Sequence, residues 1–378
     1  MNTNRSIELI KDKILKSFSS IKLLELNKNI IELNYIKINI IKNTHLDINI
    51  ILPSMALQSK NNILQMINQK INIIKNKYSI SVTLTSNVLS ASIKGSLIKE
   101  NLYNIKNIIL VISGKGGVGK STVASNLAIT LGSLGCKVGL LDADIYGPSI
   151  PTIWGIKSNE NIVGIKTNKN PIMLPIKKNN IKLMSIGFFA MKQDAIIWRG
   201  PMVSSALKQM MDTVAWGEID YLIVDLPPGT GDIHISMIQN FPIAAGLIVT
   251  TAQSIAFSDV VRAKSMLDKF SVPIVGYIEN MSYFKCNKCL SKHPIFFTAK
   301  GKKLLEELNI DLLGRIPLLS SITQKMDEGI LIKPEVTSEV NKIFLNIAYK
   351  IVLYLIKSSL SKKIKIEKNI DSLPVFKQ

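Results

Sequence analysis

The residues Gly114-Lys115-Gly116-Gly117-Val118-Gly119-Lys120-Ser121-Thr122 have the types and spacing of a phosphate-binding loop. The apolar run Ile108–Ile112 precedes them and a helix-like segment, Val123–Leu134, follows. Glycines in such a loop let successive backbone N–H groups turn toward an anion, and the positive end of the following helix faces the same point. In this arrangement Lys120 reaches the β/γ-phosphates of a nucleoside triphosphate and the Ser121 hydroxyl meets Mg²⁺.

Carboxylates expected at strand ends supply the rest of phosphate chemistry. Asp142 and Asp144 close one apolar strand and lead into Ile145-Tyr146-Gly147-Pro148. Asp144 is the candidate to position the attacking water and Asp142 to support the metal shell, and the two roles could be exchanged. Tyr221-Leu222-Ile223-Val224-Asp225 is a strand ended by an acid, the pattern that holds Mg²⁺ through water. Pro227-Pro228-Gly229-Thr230-Gly231-Asp232 follows, a loop able to sense a γ-phosphate. No Asn-Lys-x-Asp guanine motif is present, and Asn280, after an apolar strand, can offer its amide to adenine. ATP is therefore expected over GTP.

Lys115 stands one residue after the first glycine, where ordinary P-loops leave the choice free. Here the chain resembles the deviant Walker A ATPases, and the resemblance implies a homodimer in which this lysine reaches the partner's nucleotide. Cys286-Asn287-Lys288-Cys289 adds two soft ligands. A tetrahedral metal site or an iron–sulfur cluster usually requires four, and a dimer would provide them from two chains at one shared site. A zinc clip or a redox dithiol would use the same spacing.

Gly114–Thr122, Asp142–Pro151, Trp198–Met202, Val224–Asp232, Glu279–Phe284 and the Cys286/Cys289 pair together resemble the Mrp (ApbC) family of iron–sulfur cluster carrier ATPases. The resemblance implies an ATP-binding dimer with slow hydrolysis that carries a cluster, [4Fe–4S] bridging the subunits, and passes it to apoproteins. The chain departs from the family in places. A cysteine-containing stretch of the small leading module reads Leu52-Pro53-Ser54-Met55-Ala56 here, Ala252 stands where proline is usual, and Phe296–Gly301 replaces a glycine-rich Phe-Gly stretch. A MinD/ParA-like positioning ATPase and a zinc-stapled P-loop scaffold are the alternatives.

These residues must be placed by an α/β fold. Strands are expected at 107–112, 137–142, 181–186, 220–225, 244–250, 272–279 and 312–316. Helices are expected at 119–134, 200–215, 232–241, 257–270, 299–309, 320–328 and 337–358. Such alternation gives a mostly parallel sheet covered on both faces. It is a P-loop NTPase fold, with ligands at the carboxyl ends of the strands. Residues 1–96 read as a separate small α/β domain, 97–106 as a linker, 107–360 as the ATPase and cluster-carrier domain, and 361–378 as a basic tail.

The 378 residues are 47% hydrophobic and carry a net charge of +20. Of 47 basic residues only Arg5, Arg199, Arg262 and Arg315 are arginine, the side chain suited to bidentate phosphate and base contacts, so no specific nucleic-acid partner is expected. The start, Met1-Asn2-Thr3-Asn4-Arg5, has no signal-peptide pattern, and no apolar run reaches the ~18–20 residues of a spanning segment. A cytoplasmic location is expected, and the apolar final helix reads as closing the domain rather than as a membrane anchor.

Overall fold

The computed structural model describes residues 2–42, 45–74, 79–92, 102, 104–156, 164–166, 171–190, 200–286, 288–289, 291–296, 307–319, 324, 326, 328–329 and 338–371. The chain divides into two compact units, Met1–Leu89 and Ser90–Gln378.

In the first unit, helices α1 (Asn2–Phe18) and α2 (Lys60–Ile74) accompany a sheet of β3 (Ile36–Lys42), β4 (His45–Leu52) and β5 (Ser79–Ser86). A short ladder of β1 (Lys22–Leu23) and β2 (Lys28–Asn29) follows α1. Central β4 is antiparallel to β3 and parallel to β5. Its strict alternation buries Leu46, Ile48, Ile50 and Leu52 and turns His45, Asp47 and Asn49 outward. Ile63, Ile67 and Ile71, four apart on α2, complete the core.

The second unit is built on a sheet in the order β10-β11-β7-β12-β6-β13-β14-β17. Its parallel members are β6 (Ile105–Ile112), β7 (Val138–Asp142), β11 (Ile181–Ser185), β12 (Ile219–Asp225), β13 (Ile243–Thr250), β14 (Ile274–Glu279) and β17 (Leu312–Arg315). Antiparallel β10 (Ile176–Lys178) forms the edge beside β11. Two hairpins stand apart from the sheet, β8–β9 (Gly164–Lys166, Pro171–Met173) and β15–β16 (Tyr283–Lys285, Lys292–Pro294). Its helices include α3 (Lys120–Ser133), α4 (Ile150–Ile153), α5 (Gly187–Ala190), α6 (Gly200–Thr213), α7 (Asp232–Asn240), α8 (Ser254–Lys269) and α9 (Glu339–Asp371).

Near-continuous apolar strands such as Ile-Ile-Leu-Val-Ile and Tyr-Leu-Ile-Val are what a parallel sheet covered on both faces demands. β7 is buried at every position and β12 at all but Asp220. The sheet order sets β6, β12 and β7 side by side, and the pairing register puts Asp225 level with Asp142 and with Val111. The P-loop and both acid-ended strands thus open at one rim.

The strands expected between 107 and 316 are present with ends shifted by no more than three residues, as are the helices expected from 119 to 270. The helices expected at 299–309 and 320–328 fall mostly outside the described residues, as does most of the 97–106 linker, whose last two positions already belong to β6. The final helix, expected at 337–358, runs further: α9 continues to Asp371. No glycine or proline lies between 339 and 371, so the shift from apolar to lysine-rich composition marks no break in the backbone. Ser359 Oγ donates to Ser90 O at 2.9 Å and Lys362 Nζ to Ala91 O, which holds this part of the helix.

Helix α9 contains a stretch apolar and long enough, by composition, to span a membrane. Its stripe of Phe344, Ile347, Ala348, Ile351, Val352 and Leu355 is instead buried, and the helix packs on α3 and β17. Ile351→Ala should therefore cost about 2–5 kcal/mol in chemical denaturation; a loss under ~0.5 kcal/mol would mean that this face is peripheral.

Candidate nucleotide site and thiol hairpin

Between β6 and α3 the chain turns through Gly117 and Gly119, at φ 78° and 80°, a left-handed conformation that glycine adopts without strain. Beside Gly117 there is open space, where a β-carbon would meet nothing. Gly114 and Gly119 are needed for close approach: a β-carbon at Gly114 would fall on Asp259 of α8, and one at Gly119 on the Asn280 amide. Gly229 N donates to Ser113 O at 2.8 Å, tying the Pro227–Asp232 loop to the P-loop. A cavity of about 280 Å³ is lined by Lys115–Thr122 together with Asp144 and Pro228.

Lys120 is 6% exposed and its ammonium lies 2.6 Å from Asp225 Oδ1 and 3.8 Å from Asp144 Oδ2. Asp225 is fully buried, which holds its carboxyl above the usual carboxylate range against the pull of Lys120 and Ser121. The other oxygens, Asp144 Oδ1 and Asp225 Oδ2, are buried with no hydrogen-bond partner among the described residues. Two open carboxylate oxygens beside a serine hydroxyl and a phosphate loop fit a hydrated Mg²⁺.

Asp142 differs from its neighbours. Asp144 N donates to its Oδ1 at 3.1 Å, and Ile150 N and Ser185 Oγ donate to its Oδ2 at 3.2 and 2.9 Å. Its carboxylate thus shapes the segment from Asp142 to Ile150. Burial, and then the charge of Asp225, push its carboxyl up to about 7.

One further residue of this rim comes from structure rather than motif. His234, in the first turn of α7, is 1% exposed; burial and then Lys120 lower it to about 4, so the ring is neutral at physiological pH. Its only trace in the sequence is its place two residues past Asp232. Lys115, by contrast, stays exposed, its ammonium 3.4 Å from Gln253 Oε1.

Asn280 Nδ2 donates to Val118 O at 2.8 Å, so the residue expected to read the base also braces the P-loop. With Met281, Ile316, Pro317, Leu318 and Phe344 it lines a second cavity, of about 560 Å³, that reaches Gly119 and Thr122. The walls of this cavity continue into the cysteine hairpin. Ser282 N donates to Ile316 O at 3.0 Å and Leu318 N to Tyr283 O at 2.8 Å.

Cys286 and Cys289 lie in the turn of the β15–β16 hairpin, half-buried and exposed respectively, and neither is in a disulfide. Cys289 Sγ is 2.8 Å from Ser291 Oγ. Hydrogen bonds from Ser291, then from Cys286 and His293, lower its thiol to about 6. Among the described residues no three His, Cys, Asp or Glu side chains gather as a metal site, so the two thiols are what one chain offers here. On the strands of the hairpin, Glu339 accepts from Lys285, Lys292 and Tyr283, and these donors, Lys285 first, hold its carboxyl down to about 2. Nothing in the local sequence connects Glu339 with the cysteines. The Trp198-Arg199 part of the expected motif lies outside the described residues.

The profile of the ParA family, described as NUBPL iron-transfer P-loop NTPase, matches residues 104–352. The chain is 42% identical over 267 residues to an iron-sulfur cluster carrier protein of Aquifex aeolicus, covering 70% of this chain and 71% of the relative. It is 42% identical over 267 residues to the mouse iron-sulfur cluster transfer protein NUBPL, covering 69% of this chain and 81% of that one. Among solved structures, a nucleotide-binding protein of Archaeoglobus fulgidus in complex with ADP superposes with a TM-score of 0.53 at 33% identity, over 64% of this chain and 93% of the other.

Two pH dependences follow from this geometry. In the apoprotein, alkylation of Cys289 should titrate near pH 6 rather than 9, and Ser291→Ala should move the midpoint upward; a midpoint near 9 in both would remove the hydrogen-bonded thiolate. Asp142 binds its proton more tightly folded than unfolded, so its stabilising contribution is complete below pH ~4 and is lost as pH rises through about 7. The stability advantage of the natural protein over Asp142→Asn should shrink across that window in urea titrations.

Proposed function

Because this chain belongs to the ParA family of NUBPL iron-transfer P-loop NTPases, we propose that it binds iron–sulfur clusters on Cys286 and Cys289 and transfers them to apoproteins, using ATP. The observation that carries this reading is the pairing, in one unit, of a phosphate loop having open carboxylate oxygens with a hairpin that offers exactly two accessible thiols, one of them acidified. Exposed free thiols suit a reducing compartment such as the cytoplasm.

In this reading, backbone N–H groups of Gly114–Thr122 and the α3 N-terminus bind the phosphates of ATP. Lys120 exchanges its carboxylate partners for the β/γ-phosphates. Ser121 and Asp225 hold Mg²⁺, which would neutralise developing phosphate charge, while Asp142 supports that shell by fixing the loop from Asp142 to Ile150. Asp144 orients the attacking water. Asn280 meets adenine at the mouth of the larger cavity. Lys115, exposed on its own subunit, reaches the nucleotide of a second copy. Hydrolysis is slow because the cycle has no small substrate to turn over.

The cargo is a [4Fe–4S] cluster shared between two subunits, each giving two thiolates to complete the four ligands that such a cluster takes. Ligands on an exposed hairpin let a client's thiolates replace them one at a time.

Anaerobic loading with iron and sulfide, beside Cys286→Ala/Cys289→Ala, tests the reading. The natural protein should turn brown with four iron and four sulfide per dimer by sizing, and the variant should stay colourless. A natural protein that holds only colourless zinc would identify a stapled scaffold. Cysteine-independent, nucleotide-driven binding to DNA or vesicles would identify a positioning ATPase.

A further inference from the structure

The β15–β16 hairpin has little to stabilise it internally. It has three paired rungs, Tyr283↔Pro294, Phe284↔His293 and Lys285↔Lys292, all of β16 is exposed, and Phe284 is 43% exposed. Isolated two-stranded hairpins are marginal in water. The rung next to the thiols is worse than neutral, since two ammonium groups stand directly across from each other, and like charges there push strands apart. Immediately beyond that rung, Cys286 N donates to Ser291 O at 3.0 Å.

Glu339, in the first turn of α9, meets this defect. Its carboxylate takes Lys285 Nζ at 2.8 Å, Lys292 Nζ at 2.8 Å and the Tyr283 hydroxyl at 3.2 Å. Lys292 Nζ also lies 4.7 Å from the centre of the Tyr283 ring. One side chain thus grips both strands and converts a repelling rung into a closed cluster. It does so from a helix that is buried against α3, the helix that opens at the P-loop.

We propose that Glu339 is the positioning residue of the thiol pair, fixing the hairpin so that Cys286 and Cys289 are held ready for a cluster before it arrives. It touches no cargo and acts through Lys285 and Lys292. Ligands ordered in advance do not lose conformational freedom on binding, so the grip on the cargo is tighter than a loose hairpin could give. The proposal rests on the cluster-carrier reading for its cargo but not for its geometry.

The test uses the full chain as Glu339→Gln, Glu339→Asp, Lys292→Met and Glu339→Gln/Lys292→Met. One readout is the rate at which a ferrous chelator strips iron from the loaded protein; the other is amide exchange of residues 283–294 in the apoprotein. Because the cluster is partly exposed, the expected effect is moderate: iron loss and hairpin exchange roughly three- to tenfold faster in Glu339→Gln. Glu339→Asp should recover most of the loss, and the double variant should be no faster than Glu339→Gln, because the repulsion is already relieved. Glu339→Gln with wild-type iron loss and wild-type exchange would overturn the clamp, as would a Glu339→Asp no better than Glu339→Gln. A natural protein that takes up no iron would instead sink the carrier reading, and amide exchange alone would then decide the clamp.

Discussion

The second unit depends on how it tolerates three carboxylates at one buried rim. Asp142, Asp144 and Asp225 are all under a tenth exposed, and Lys120 is the one cation that the described residues bring within ion-pair distance of them. Unpaired, such groups would cost several kcal/mol each. The chain distributes the burden instead. Asp142 is quieted by three protein donors and a raised affinity for its proton, and Asp225 is paired with Lys120. Asp144 is left with an open oxygen. The lysine is therefore the counter-ion that keeps this rim folded, and in the proposed function it is also the ligand for phosphate. In the proposed function phosphate takes the lysine, and an Mg²⁺ arriving with the nucleotide would replace it beside the carboxylates.

The same economy appears on the other side of the P-loop. Asn280 braces Val118, Ser282 and Tyr283 exchange hydrogen bonds with Ile316 and Leu318, and the chain then runs straight into the cysteine hairpin. From Asn280 to Cys286 there are too few residues for a flexible tether, and Asn280, Ser282 and Tyr283 are each pinned by burial or by backbone pairing. The wall of the larger cavity and the root of the hairpin are consequently one element. Whatever fills that cavity bears on a segment that also carries the thiols.

How much of this could be read from the chain depended on sequence separation. The P-loop, Asp225 and the Cys286/Cys289 pair each declare themselves within ten residues, because a phosphate cradle, an acid-ended buried strand and a two-thiol turn are local devices. The parallel sheet was legible for a related reason: strands buried on both faces must be continuously apolar. The three-residue strands β8, β9, β10, β15 and β16 were not, since a period of two cannot show itself over three positions. Glu339 was invisible because its partners lie 47 to 56 residues earlier, and the hydrogen bond that Ser185 gives Asp142 was invisible because the two lie 43 residues apart. The end of α9 was misplaced because a change in side-chain polarity was taken for a change in backbone.

A carrier faces opposing demands that a storage or structural site does not. Its ligands must be exposed enough for a client's thiolates to reach the iron, yet exposure removes the packing that would otherwise hold them in place. Apolar burial cannot resolve this, because it would close the access that transfer needs. Charge can: Glu339 pairs with Lys285 and Lys292, the rung next to the turn that holds the cysteines, and in the proposed clamp it fixes that rung while leaving Cys289 open to solvent. Ionic clamping of the strands and free thiols in the turn thus answer both demands with the same hairpin.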